Sequence, residues 1–306
     1  KCKPLIRCVL RMGTYEIFYM DLVQDHTACN LCVKLAADHG FGSLRGFVNG
    51  VLRNIARNKD SIVFPDQEKD KRAYYSVMYS VPEELLEILE RDYDYETIDR
   101  ILASGDSDRP TAIRVNTEKI SVTAFSEKLR QNGITVERGS MNDTSLLISG
   151  YDYIRKVPGF FDGEFVVQDQ SSCLAVKAAG INEGDLVVDV CAAPGGKTMY
   201  AAMLTGSEGH VISRDLIDKK TELIEENIER LGLSNVTVQV HDAREFDEEL
   251  TGKADVVIAD LPCSGLGIMG RKNDIKYHVS MESVKELAQL QREILDTVCR
   301  YVKPGG

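Results

Sequence analysis

Apolar residues in the first sixty positions recur at helical spacing, with no strand-like alternation and no proline between Pro4 and Pro65. In "SLRGFVNGVLRNIARN", Phe47, Val48, Val51, Leu52 and Ile55 share one face of a helix turning about 100° per residue. Arg45, Arg53 and Arg57 occupy the opposite face. The pattern predicts an all-helical segment with a basic face, which is either solvated or set against phosphates. The polar stretch "FPDQEKDKRAYYS" over 64–76 contains Pro65 and reads as a connector between domains. "VPEELLEILERDYDYETIDRILAS" then carries two short helical patterns.

From Thr111 the period changes. "TAIRVNT" reads as a strand, "SVTAFSEKLRQNG" as a helix ending on Gly133, and "ITVERG" and "SLLIS" as two more strands. These form a small α+β unit. From about Gly163 strands and helices alternate. "DLVVDV" (185–190), "GHVIS" (209–213), "VTVQV" (236–240) and "ADVVIAD" (254–260) are the strands. "TMYAAML" and "KKTELIEENIERLG" are helices between them. Alternating β and α implies a parallel, doubly wound sheet with ligands outside the carboxyl ends of its strands.

Those strand ends carry acids. The first ends in Asp189 and the loop "CAAPGGKT"; Asp215 and Asp242 follow the second and third; the fourth ends in Asp260 and "LPCSG". A single aspartate at a strand end is an ordinary cap or turn residue. Four on consecutive strands make a polar rim. The glycine-rich loop between a strand and a helix is built to hold an anionic or polar group on backbone N–H groups. One candidate is a nucleotide triphosphate. Gly196, Lys197 and Thr198 match the end of a P-loop, but Cys191 stands where its first glycine belongs. The acids argue for the other candidate. Asp215 lies 26 residues after Asp189, where a carboxylate accepts from ribose hydroxyls. A carboxylate repels phosphate. The rim favours a nucleoside with an uncharged ribose and a cationic sulfonium, S-adenosylmethionine.

Composition places the chain among ordinary globular proteins, with 43% hydrophobic and 28% charged residues. No apolar run reaches the roughly 18 residues of a membrane span, and no signal peptide is evident. The eight scattered cysteines read as reduced thiols in a cytoplasmic protein. "CNLC" at Cys29–Cys32 has metal-like spacing without a second pair, so buried thiols are expected there and no metal site. Net charge is -11, unevenly spread. Residues 1–60 carry nine Lys and Arg against five Asp and Glu, a balance of +4, and the remainder carries 28 against 43. A basic first segment and an acidic remainder imply different tasks.

At this point the motifs carry a resemblance. "VVDVCAAPGGKT", "ADLPCSGLG", "VQDQSS" (Val167–Ser172), "IRVN" (Ile113–Asn116) and "GFVNGVLRNIARN" together resemble the Sun/Fmu-type, or RsmB-family, bacterial 16S ribosomal RNA cytosine-5 methyltransferases. The resemblance spans nearly the whole chain. It implies an α/β fold: a Rossmann-like class I methyltransferase sheet, a small α+β subdomain and an all-helical NusB-like first domain. The expected division is 1–65 as a partial NusB-like RNA-binding domain, 66–162 as linker helices and a small RRM-like subdomain, and 163–306 as a methyltransferase domain incomplete at its carboxyl end.

By resemblance, Cys191, Ala192, Ala193, Pro194, Gly195, Gly196 and Lys197 wrap S-adenosylmethionine. Asp215 binds its ribose, Asp242 lies by its adenine, and Asp260 sits between cofactor and target base. Carbon 5 of cytosine is a poor nucleophile until a thiolate adds to carbon 6. The family uses two cysteines. Cys263 resembles the one that assists release, with Asp260 absorbing charge on the ring. The attacking cysteine belongs to a Thr-Cys motif on the next strand, which is expected after "YVKPGG". The chain opens on Lys1 and reads as cut at both ends. Arg271 resembles a residue near the substrate, although Asn273 stands where the family usually has proline. The implied partner is 16S ribosomal RNA not fully assembled into its subunit, met by a monomer through Arg45, Arg53, Arg57 and Arg271, with no membrane. A P-loop-like NTPase, or a silent RNA-binding module, is the alternative.

Overall fold

The computed structural model describes residues 2–106 and 109–306. The chain divides into two compact units, 1–81 and 82–306.

The first unit is helical. α1 (Pro4–Tyr19), α2 (Asp25–Ala36) and α3 (Arg45–Asn58) pack mutually around Ile6, Val9, Ile17, Ala28, Cys29, Cys32, Val48 and Leu52. Gly13 permits their close approach, because a Cβ there would lie 2.8 Å from both Cys32 Sγ and Leu52 Cδ1. Cys29 and Cys32 are buried core thiols, with Cys32 Sγ donating to the Val9 carbonyl at 3.5 Å. Burial pushes both thiols up, Cys32 to about 11. Two readings of this segment need correction. Phe47 is 49% exposed: it sits at the margin of the apolar stripe, and the helix buries only Val48 and Leu52. Half of the 64–76 connector is helix, α4 (Lys71–Met78), started by the Asp70 side chain accepting from Ala73 N.

The second unit opens with α5 (Glu83–Asp92) and α6 (Tyr95–Ala103), the latter capped by Asp94. A small antiparallel sheet follows, built from β1 (Thr111–Val115), β2 (Thr135–Arg138), β3 (Ser145–Ser149) and β4 (Phe165–Val167) in the order β2-β3-β1-β4. α7 (Val122–Gln131), capped by Ser121, covers it through Phe125 and Leu129. β4 corrects the expected start of the Rossmann-like region at 163. Ile113 is registered on Val167 and Val115 on Phe165, so these residues complete the small sheet.

The Rossmann-like layer is a parallel sheet of β5 (Leu186–Asp189), β6 (His210–Asp215), β7 (Val236–Val240) and β8 (Val256–Ile258), ordered β7-β6-β5-β8. α8 (Gln170–Ala178), α9 (Gly196–Thr205), α10 (Asp218–Leu231) and α11 (Met281–Val298) accompany it. Ser280 and Ser283 form a reciprocal capping box at the start of α11. α10 is fastened to the small sheet, where Arg230 donates to the carbonyls of Phe160 and Phe165 at 2.9 and 3.0 Å and lies over the Phe160 ring. Among the described residues no helix is long and apolar enough to cross a membrane.

Candidate functional site

The strand order reverses at β5: β6 and β7 lie to one side and β8 to the other. Open α/β sheets bind ligands at such a reversal, beyond the carboxyl ends of the strands. The four aspartates gather there. Asp189 closes β5 and Asp215 closes β6, while Asp242 and Asp260 lie two residues beyond β7 and β8.

The loop from Val190 to Gly195 runs between β5 and α9, held at several points. Ala192 N donates to the Arg214 carbonyl at 2.8 Å, and Ala193 N to Asp215 Oδ2 at 3.2 Å. The Pro194 carbonyl accepts from Asn227 at 3.3 Å. Gly195 takes φ +98°, which a side chain disfavours, and a Cβ there would press on Ile224 at 3.2 Å. Gly196 then starts α9, whose first N–H groups have no partner within the helix and no side-chain cap.

Two cavities flank this loop. The larger, about 370 Å³, is lined by Asp215, Leu216, Ile217, Lys220, Asp242, Leu290 and Ile294 among others. The smaller, about 180 Å³, is lined by Gln168, Asp169, Asp189, Pro194, Gly196 and Lys197. Cys191, Ala193 and Asp260 border both. Apart from Gly195, which is buried within the loop, every residue expected around the cofactor lines one or both of these cavities.

Their environments differ. Asp215 is nearly buried, and each of its oxygens accepts one backbone N–H, from Ala193 and from Ile217 at 3.3 Å. Each oxygen keeps a lone pair for a hydroxyl. Leu216 and Ile217 are 58% and 48% exposed and offer an apolar floor suited to a flat ring. Asp242 is bound by Arg244, at 2.6 Å to Oδ2 and 3.0 Å to Oδ1, and those bonds hold its carboxyl below the usual range. Lys197 Nζ meets Asp260 Oδ2 at 2.5 Å, so this lysine serves the acidic rim. Burial, with Asp215, Asp189 and Asp260 nearby, pushes the Cys191 thiol to about 11, which keeps it protonated at neutral pH.

Asp189 departs from the expected rim. It is fully buried beneath the loop, accepting from Thr198 Oγ1 at 2.7 Å. Desolvation raises its carboxyl to about 7. Cys263 is exposed on the segment that follows β8, three positions beyond Asp260. Arg271 pairs with Asp169 at 2.9 Å, beside the smaller cavity. Arg45, Arg53 and Arg57 are exposed on α3 of the helical unit.

These features are those of known proteins. Residues 177–306 match 16S rRNA methyltransferase RsmB/F, residues 1–57 the NusB family, and residues 81–152 the ferredoxin-like domain of RsmF/B-like methyltransferases. A probable ribosomal RNA small subunit methyltransferase B of Bacillus subtilis is 33% identical over all of this chain and 68% of its own length. The chain belongs to the RsmB/F family of 16S rRNA methyltransferases. The Vibrio cholerae ribosomal RNA small subunit methyltransferase B is 31% identical, covering 97% of this chain and 67% of its own. The crystal structure of PH0851 superposes with a TM-score of 0.86 at 27% identity, over 99% of this chain and 68% of that one.

S-adenosylmethionine is the cofactor of the family, and the site fits it. Asp215 retains acceptors for a diol, an apolar floor lies beside it, and the N-terminus of α9 opens on the smaller cavity. The triphosphate alternative falls with this assignment. Lys220, 3.7 Å from Asp215, lies beyond the sequence-based expectations, as do Leu216, Ile217, Leu290 and Ile294. "DLI" after the second strand is the available signal, an apolar pair where a turn is ordinarily polar.

Proposed function

We propose that this chain is the body of an enzyme that methylates carbon 5 of a cytosine in 16S rRNA through a covalent cysteine–cytosine intermediate. Bound S-adenosylmethionine supplies an electrophilic methyl group. A thiolate adds to carbon 6 of the base, and the electron pair displaced from the ring double bond makes carbon 5 nucleophilic. After methylation the carbon-5 proton is removed and the carbon–sulfur bond breaks, which restores the ring and the thiolate. The observation that carries this reading is the Lys197–Asp260 pair where the two cavities meet, with exposed Cys263 on the same loop.

Negative charge builds up on the pyrimidine ring as the thiolate adds; Asp260 orients the base by accepting from its amino group, and Lys197, which holds Asp260 in place, supplies the cation that faces that charge. Cys263 assists release. The attacking thiolate is assigned, by family resemblance, to the Thr-Cys motif expected beyond Gly306. Cys191 to Lys197, Asp215 and Asp242 hold the cofactor. RNA is met by Arg45, Arg53 and Arg57 on α3 and by Arg271, in a cytoplasmic monomer acting on RNA not fully assembled into the subunit. Nucleoside analysis of 16S rRNA after incubation with labelled cofactor tests this, using a chain that continues through the Thr-Cys strand. The label should appear in 5-methylcytidine. Label in another nucleoside would refute the carbon-5 assignment, and RNA binding with cofactor bound but no transfer would favour the silent module.

A further inference from the structure

Arg114 is 1% exposed, and no carboxylate pairs with it among the described residues. A buried guanidinium is costly unless something anionic or strongly accepting compensates it. Its neighbours are weak substitutes. Nε donates to Gln168 Oε1 at 2.7 Å, Nη1 points at Met203 Sδ at 2.9 Å, and the guanidinium lies 4.4 Å from the centre of the Tyr200 ring. Nη2 has no partner. Desolvation lowers the group to about 10, which still leaves it cationic at neutral pH.

Gln168 continues this imbalance toward the cofactor loop. It is 5% exposed, and its Nε2 has no partner. Arginine only donates, so the amide oxygen of Gln168 must face Arg114 and the amide nitrogen must face away. The end of the Gln168 side chain packs against the loop, its Cδ at 3.6 Å and its Cγ at 3.7 Å from where a Cβ on Gly196 would be. Gln168 lines the smaller cavity with Gly196 and Lys197, and its Nε2 lies 3.7 Å from where a Cβ on Gly196 would be. Gly196 begins the ten-residue helix α9, whose first N–H groups and positive dipole end open on the same cavity. The unpaired amide donor of Gln168 and the N-terminus of α9 therefore share one cavity, the buried Arg114 cation stands directly behind Gln168, and each of the three favours an anion.

We propose that Gln168 donates to the carboxylate at the amino-acid end of the cofactor, and that Arg114 is the positioning residue that fixes its amide and supplies the compensating charge. This rests on the reading of the loop as the S-adenosylmethionine site. A carbonyl oxygen of the target base is the other acceptor of the same chemistry, and the buried cation favours the carboxylate over it.

The test is calorimetric binding of S-adenosylhomocysteine, which has the carboxylate, and 5′-methylthioadenosine, which lacks the amino-acid end. Gln168→Glu keeps the shape and pairs with Arg114, yet presents only acceptors. It should bind S-adenosylhomocysteine at least tenfold more weakly while holding methylthioadenosine within about twofold. Arg114→Met should lose affinity several-fold for the first ligand only, and Arg114→Lys, which can still donate to the amide oxygen, should restore most of it. Because Gln168→Leu would strand the guanidinium, the double variant Arg114→Met/Gln168→Leu serves as a second check and should show the same split. Equal losses for both ligands would mean a structural role and overturn the proposal. Unchanged S-adenosylhomocysteine binding would overturn it too, as would a loss confined to RNA affinity, which assigns the donor to the base. Failure of the unaltered protein to bind either ligand would instead remove the cofactor site itself, and this proposal with it.

Discussion

Asp215→Ala removes the carboxylate that joins the cofactor loop to the floor of the larger cavity. The residue is 6% exposed, and its two oxygens accept from Ala193 N at 3.2 Å and Ile217 N at 3.3 Å. Two losses follow. Those N–H groups lose their acceptor, but Ile217 is half exposed and water can replace it, so stability should fall by only about 1 kcal/mol. The second loss is the pair of lone pairs available to a ribose diol. A hydrogen bond to a charged group is worth about 1.5–3 kcal/mol, so S-adenosylhomocysteine should bind roughly ten- to a hundredfold more weakly. The Lys220 contact adds little, because Lys220 is half exposed and 3.7 Å away. Calorimetry with S-adenosylhomocysteine and its 2′-deoxy analogue separates the two effects. The unaltered protein should discriminate between these ligands and Asp215→Ala should not. Unchanged affinity in a folded variant, or discrimination that survives the substitution, would show that Asp215 does not read the ribose.

Three further outcomes are expected. Burial raises Asp189 to about 7, above its unfolded value, so the folded state holds a proton that the unfolded state releases. Its contribution is most favourable at acidic pH and is lost as pH rises through about 7; the thermal midpoint of Asp189→Asn in the ligand-free protein should therefore gain on the original from pH 5 to pH 8, and parallel curves would contradict this. Gly13→Ala places a Cβ 2.8 Å from Cys32 Sγ and Leu52 Cδ1. Overpacking should exceed the helix-propensity gain and cost the helical unit about 1–2 kcal/mol, and a higher melting midpoint would show that the helices can part. Reversing Arg45, Arg53 and Arg57 together should weaken binding to 16S rRNA and flatten the dependence of log K on log salt, by somewhat under one unit of slope for each phosphate that these arginines neutralise, whereas an unaltered slope would return α3 to an ordinary solvated face.

The strand ends were legible because a parallel α/β sheet writes its order plainly: apolar run, loop, amphipathic helix, apolar run. Asp215, Asp242 and Asp260 could be placed by counting along that order. Depth could not. Asp189 occupies the same formal position as Asp215, yet it lies under the loop because Thr198, in the first turn of α9, closes over it. β4 is hard to see in sequence because three residues after a turn give no period to read, and its partner β1 lies some fifty residues earlier, in the register Ile113–Val167. Helical angle alone puts Phe47 on the apolar face, and at the margin of a stripe the neighbouring helix decides. The Arg271–Asp169 and Asp242–Arg244 pairs were equally invisible. Charge is evident in a sequence, but which acid a guanidinium meets is settled by loop paths.

The central claim is that carbon-5 transfer passes through a protein–RNA covalent intermediate which Cys263 helps to resolve. A denaturing gel tests it directly, using a chain that carries the Thr-Cys strand, substrate RNA and S-adenosylmethionine. Cys263→Ala should accumulate a slow-migrating protein–RNA band, and substitution of the Thr-Cys cysteine should abolish it. A band trapped by the Thr-Cys variant, and none from Cys263→Ala, would make Cys263 the attacking nucleophile and contradict the account.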